Sequence, residues 1–244
     1  MSEELLHAHR DLWQRKPVLR CIYRDFYHRI LAACQSGKSL EIGGGSGNLK
    51  EYREDVVTTD IVATEWLDAV ADAQALPFGE NSFDNIVAID VLHHIEYPIR
   101  FLDEAQRVLK PRGRIVVVEP AISPVSWFFY TFCHPEPVRM HADPLANGVP
   151  DRKRKPFDSN QAIPTLLFGR HRARFEERYP GLKLVRLERF SFFAYPLSGG
   201  FRSWSLLPAQ LAPQLLNIEE RLAPVLAPIM SFRLLAVIEN IQNA

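Results

Sequence analysis

The sequence predicts an α/β fold built on a mostly parallel sheet flanked by helices. Short β-branched and aliphatic runs alternate with amphipathic stretches from residue 38 to residue 120, the order expected of parallel strands joined by crossovers. "RIVVVEP" (114–120) is almost continuously apolar, as a strand covered on both faces must be. "LEIGGGSGN" (40–48) places a glycine-rich turn directly behind a strand, which is where such sheets approach a nucleotide-type ligand.

The elements follow in order. Residues 3–34 read as helical, with Pro17 bounding or interrupting them and Gly37 as the stop. "SLEI" (39–42) is the first strand, "NLKEYRE" (48–54) a short helix, "VVTTDI" (56–61) the second strand and "WLDAVAD" (66–72) the third. "NIVAID" (85–90) is the fourth strand. "PIRFLDEAQRVL" (98–109) is an amphipathic helix with Ile99, Leu102, Ala105 and Leu109 near one face, and "KPRG" (110–113) is its stop and turn. "LKLVRLERF" (182–190) and "FRLLAVIEN" (232–240) are the last strands. Residues 121–178 and 197–230, rich in proline and aromatics, read as insertions covering the sheet, and 203–232 as two or more short helices. The expected division is a helical cap at 1–36, a core at 37–120, a lid insertion at 121–181, and the last strands at 182–244 with a helical insertion at 197–230.

Composition excludes several classes. The 244 residues carry 29 Lys+Arg against 29 Asp+Glu, so bulk charge does not recommend nucleic acid as a partner. Cys21, Cys34 and Cys133 lack CxxC spacing, which suggests neither a disulfide framework nor a zinc site. Reduced thiols and a cytoplasmic location are the simpler expectation. The N-terminus is charged from its third residue and is no signal peptide, and no run reaches the roughly 18 apolar residues of a spanning helix.

Three ligands compete for the glycine turn. A P-loop needs a lysine that is absent. A dinucleotide fingerprint has Asn48 where its third glycine or alanine belongs. An acidic-x-G-x-G-x-G pattern is filled completely by Glu41, Gly43, Gly45 and Gly47, with Gly44 between them. On these residues the chain resembles the class I S-adenosylmethionine (SAM)-dependent methyltransferases, whose first motif this is. A carboxylate at the mouth of the turn would repel a pyrophosphate but suits a ligand bearing an ammonium and a sulfonium. "ADAQALPFGENSFD" (71–84), "AIDVLHHI" (88–95) and "RVLKPRGRIVVVEP" (107–120) are similar to later motifs of the same family, in order and at its spacing, and together they closely resemble the branch that includes the quinone-biosynthesis C-methyltransferases and many small-molecule methyltransferases.

The resemblance implies a Rossmann-like seven-stranded sheet, SAM as cofactor, and roles for named residues. Glu41 would hold the methionine ammonium, Asp60 the ribose hydroxyls, Asp72 the adenine amine, and the Ala73 backbone the ring. The plainer reading of Asp60 is a turn cap. Phe78 and Phe83 read as packing residues. The helix between the second and third strands is nearly absent, and Trp66 is the residue placed to cover the gap.

Methyl transfer from a sulfonium is an in-line displacement with a neutral leaving group, so orientation and desolvation carry most of it. No metal-ligand spacing is seen. A hydroxyl acceptor needs a base, and Asp90, His93 and His94 stand at the carboxyl end of the fourth strand. The competing reading gives these histidines only loop hydrogen bonds or packing. The aromatic segment 126–144 is either an apolar lid or a packed amphipathic helix, with His134 and His141 as further base candidates. Arg170, Arg172, Arg174, Arg178 and the run 151–156 are either solvated faces or a clamp for an anionic acceptor or membrane surface.

The expected activity is O- or C-methylation of a small-molecule or lipid-linked acceptor, by a monomer or homodimer with peripheral membrane contact as an option. A SAM-binding protein without catalysis and an RNA methyltransferase are the alternatives. NAD-dependent oxidoreduction is opposed by Glu41 and Asn48.

Overall fold

The computed structural model describes residues 3–149, 151, 153–155 and 158–242. A seven-stranded sheet runs through the molecule in the order β3-β2-β1-β4-β5-β7-β6. Its strands are β1 (Ser39–Ile42), β2 (Val57–Asp60), β3 (Ala69–Val70), β4 (Phe83–Ile89), β5 (Leu109–Pro120), β6 (Leu182–Phe190) and β7 (Arg233–Asn240). The first five pair in parallel, and β7 is antiparallel to both neighbours. The chain leaves β1 toward β2 and β3, then returns to β4 on the other side. The carboxyl ends of β1 and β4 therefore open the crevice where such sheets take ligands.

Alternation of side chains divides the core between the two faces. Ile86, Ala88, Ile115, Val117, Leu234 and Ala236 pack with Ile99, Leu102 and Ala105 of α3 (Pro98–Val108). Val87, Val116, Val118, Leu235 and Val237 pack with Leu19, Ile22, Phe26 and Ile30 of α2 (Pro17–Ala33). Pro17 and Pro98 each sit at a helix start, where a missing N–H costs nothing. Pro17 thus separates α2 from α1 (Glu3–Arg15) rather than kinking one long helix.

Several expectations are corrected. The short helix expected at 48–54 is present but shorter, a 3-10 helix over Asn48–Glu51 entered through left-handed Gly47. The third strand shrinks from 66–72 to two residues, because its first half is used elsewhere. Trp66 donates to the Gly45 carbonyl at 2.8 Å, and the Asp68 carboxylate accepts from the Thr58 backbone N–H at 2.8 Å. "KPRG" is no turn between elements. It is a bulge inside β5, opposite the register shift between Phe83 and Asn85, with Arg112 at positive φ. Residues 203–232 do not form several short helices. A 3-10 turn, Ala209–Leu211, leads into one long helix whose interior accommodates Pro224 and Pro228. The other helices are α4 (Pro124–Phe132), α5 (Ile163–Thr165), α6 (Arg172–Arg178) and α7 (Ala194–Ser198), and the long one is α8 (Ala212–Met230).

Candidate cofactor and acceptor site

A cavity of about 660 Å³ lies over the carboxyl ends of the strands, within the range of small-molecule sites. One end is the glycine turn. Gly43, Gly45 and Gly47 all hold positive φ, which glycine alone adopts freely. A Cβ on Gly43 would stand 2.3 Å from Val91 Cγ2, so the turn is locked against the segment after β4. Its outer side is covered by Trp66 and by α1, whose Arg10 donates to the Ser46 carbonyl at 2.8 Å and lies over the Trp66 ring. Trp66 thus covers the gap left by the missing helix, as expected.

Glu41, only 5% exposed, reaches the cavity from β1, and its Oε2 has no hydrogen-bond partner. Burial, and then the neighbouring Asp60 carboxylate, push its pKa up to about 8. Asp60 ends β2 and serves as the turn cap of the plainer reading. One carboxylate oxygen accepts from Gly45 N–H and the other from Val62 N–H, both at 3.0 Å. It still lines the cavity, and each oxygen keeps a lone pair. Asp72, exposed, and Ala73, buried, line the same end. Phe78 and Phe83 meet edge to face in the core and do not line the cavity.

The other end gathers Asp90, His93 and His94 with residues that motif reading did not select. Asp90 holds positive φ just beyond β4 and pairs with Arg233, the first residue of β7. Arg233 is 2% exposed, and its guanidinium stacks 4.1 Å from the Tyr195 ring centroid. Because β7 runs antiparallel, its first residue lands at the carboxyl edge of the sheet. His93 is buried between two carboxylates, with Nδ1 2.7 Å from Glu119 and Nε2 3.3 Å from Glu136. These carboxylates outweigh the cost of burial and hold its pKa up at about 9. Both ring nitrogens of His93 are engaged, so the expected role of free base does not fit this ring. The His94 ring stacks beside it, 4.2 Å between centroids, and its pKa falls to about 4 through burial and the adjacent His93 charge.

Glu119, completely buried, also accepts from the backbone N–H groups of Val91 and Leu92, so it braces the loop carrying both histidines. Glu136 lies beyond α4 and is held by Ser159 Oγ at 3.0 Å and by Gln161. His134 lines the cavity, whereas His141 is exposed and does not.

The aromatic insertion divides between two environments. Phe129 and Tyr130 face the cavity, while Trp127, Phe128 and Phe132 are exposed. Arg172 and Arg174 pair with Glu176 and Asp143, which is a solvated face. Of the run 151–156, Asp151, Arg154 and Lys155 border the cavity, and Arg152 and Pro156 lie outside the described residues. Lys16 stands behind the cavity wall and ties its residues together. It donates to the carbonyls of Gly200, Arg202 and Trp204 at 2.7, 2.6 and 2.9 Å.

Residues 40–117 match the methyltransferase domain family model. The chain is 47% identical over 55 residues to a demethylmenaquinone methyltransferase of Clavibacter sepedonicus, 22% of each chain. It is 35% identical over 96 residues to a ubiquinone/menaquinone biosynthesis C-methyltransferase of Ruegeria sp., 39% of this chain and 38% of that one. These matches thus span well under half of the relatives' own lengths. In fold, a SAM-dependent methyltransferase from Thermotoga maritima, described as a possible histamine N-methyltransferase, superimposes with TM-score 0.57 at 14% identity, covering 97% of this chain and 99% of that one. The family match is thus confined to residues 40–117, the part of the chain that carries the glycine turn and strands β1 to β5.

Proposed function

We propose that the protein transfers a methyl group from SAM to a small-molecule or lipid-linked acceptor. The observation that carries this reading is the buried Glu41 carboxylate, whose Oε2 is unpartnered in a cavity floored by three glycines of positive φ. An orphaned buried acceptor is costly unless a ligand supplies a donor, and an ammonium supplies both donor and charge. SAM brings the activated methyl and a neutral leaving group.

In this reading Glu41 binds the ammonium, Asp60 the ribose hydroxyls, and Asp72 with the Ala73 backbone the adenine. Gly43, Gly44, Gly45 and Gly47 let the backbone approach. The acceptor occupies the end formed by Asp90, His93, His94, Arg233 and Tyr195, under Phe129 and Phe201. Asp90 and His93, both ion-paired, position that end.

Calorimetry with SAM, S-adenosylhomocysteine and NAD on wild type and Asp60→Ala tests the proposal. Both adenosyl ligands bind the wild type, NAD does not, and the variant loses at least tenfold in affinity. A folded wild type that binds neither adenosyl ligand overturns it.

A further inference from the structure

Glu136 meets His93 and His94 at the acceptor end of the cavity, and nothing in the methyltransferase motifs requires it there. One ligand atom from each of His93, His94 and Glu136 lies within 4.8 Å of the others. All three residues line the cavity. The His93 Nε2 to Glu136 Oε separation is 3.3 Å, long for a charged hydrogen bond. It equals the edge of a tetrahedron with metal bonds of about 2.05 Å, which is also about 3.3 Å.

The surroundings are those of a metal site. Glu119, fully buried, holds His93 Nδ1 at 2.7 Å and is itself clamped by two backbone N–H groups. That carboxylate–imidazole pair keeps a proton on Nδ1, so a metal would take Nε2 in place of the proton that Nε2 shares with Glu136, releasing it to water. Glu136 is steadied in turn by Ser159 and Gln161. Charge points the same way. Asp90, Glu119 and Glu136 surround the pair of rings, while Arg233 is taken up by Asp90, and Arg154 at the rim binds the carbonyls of His94 and Asp158.

We propose that His93, His94 and Glu136 bind one divalent first-row cation of the zinc type, with Glu119 as the positioning residue and one coordination position open to the cavity. Two imidazoles and a carboxylate with an open position form a set that polarises a bound oxygen. The acceptor class is thereby an oxygen acceptor, a phenol or alcohol held at the open position, and the inference deepens the methyltransferase reading on which it rests. The cation lowers the hydroxyl pKa, and the proton leaves to water. The oxygen lone pair then forms the O–C bond while the S–C bond breaks, releasing a neutral thioether.

The test strips the purified protein with chelator, then titrates Co²⁺ by visible absorption and Zn²⁺ by calorimetry, with S-adenosylhomocysteine binding measured on the same samples. One equivalent of either metal binds the wild type. His93→Gln and Glu136→Gln lose it while keeping S-adenosylhomocysteine binding, and Glu119→Gln weakens it about 10–100-fold. A protein that binds S-adenosylhomocysteine but no stoichiometric metal overturns the metal site and leaves the methyltransferase reading standing. Metal binding unaltered in both ligand variants likewise overturns it. One bound metal without S-adenosylhomocysteine binding upholds the site and overturns the other reading.

Discussion

Glu41 is a carboxyl group buried beside a second carboxylate, and that arrangement makes it titrate where it ordinarily would not. Burial first, then Asp60, raises its pKa from 4.5 to about 8. The folded state therefore holds a proton that the unfolded chain has released between those two values, and this residue lowers stability progressively as pH rises from 4.5 to about 8. A bound ammonium reverses the preference by favouring the anion. Binding of S-adenosylhomocysteine at pH 6.5 is expected to release close to one proton, and affinity to rise up to tenfold per pH unit until about pH 8. Calorimetry in buffers of different ionisation enthalpy reads this directly. Glu41→Gln should abolish both the proton release and the slope. Two residues along the turn, Gly43→Ala places a methyl 2.3 Å from Val91 at positive φ. It should destabilise the protein by about 2 kcal/mol and weaken adenosyl binding together, as thermal unfolding with and without ligand would report.

Among the elements, the segment 199–204 has no regular structure to hold it, and Lys16 substitutes for one. Its ammonium gathers three carbonyls from that segment, and the residue is almost wholly buried. Lys16→Met keeps the apolar stem but strands those carbonyls. It should lower stability by about 2–4 kcal/mol and speed proteolysis between residues 199 and 204, measured by chemical denaturation and limited digestion. This tie was not legible in the sequence, because it joins residues far apart in the chain. What was legible was local. β1 and β6 fall on the predicted residues, since a run of apolar alternation declares its own period. The bulge at 110–113 was read as a turn because Pro111 and Gly113 are turn residues, while the partner strand that keeps them in β5 is distant in sequence. Prolines within 203–232 favour several short helices, yet α8 continues through Pro224 and Pro228, with Pro213 in its first turn and contacts with β6 and α4 to offset the two lost hydrogen bonds.

Across the whole molecule, the strand order makes the site. The reversal between β1 and β4 opens the crevice, and antiparallel β7 carries Arg233 to the edge where Asp90 waits. The glycine-turn end was readable because its residues are consecutive in motifs. The other end was readable only in part, at Asp90, His93, His94 and His134, because Glu119, Glu136, Arg233 and Tyr195 arrive from four separate segments. Arg233, which heads the aliphatic run Leu234–Ile238, was a signal for it in the sequence. The central claim is that Glu41 exists to meet an ammonium. The most direct measurement compares S-adenosylhomocysteine with 5′-methylthioadenosine, which lacks the amino-acid group, on wild type and Glu41→Gln. The account predicts that the substitution costs S-adenosylhomocysteine at least tenfold in affinity and leaves methylthioadenosine within twofold. Equal losses for both ligands, or none for either, would contradict it.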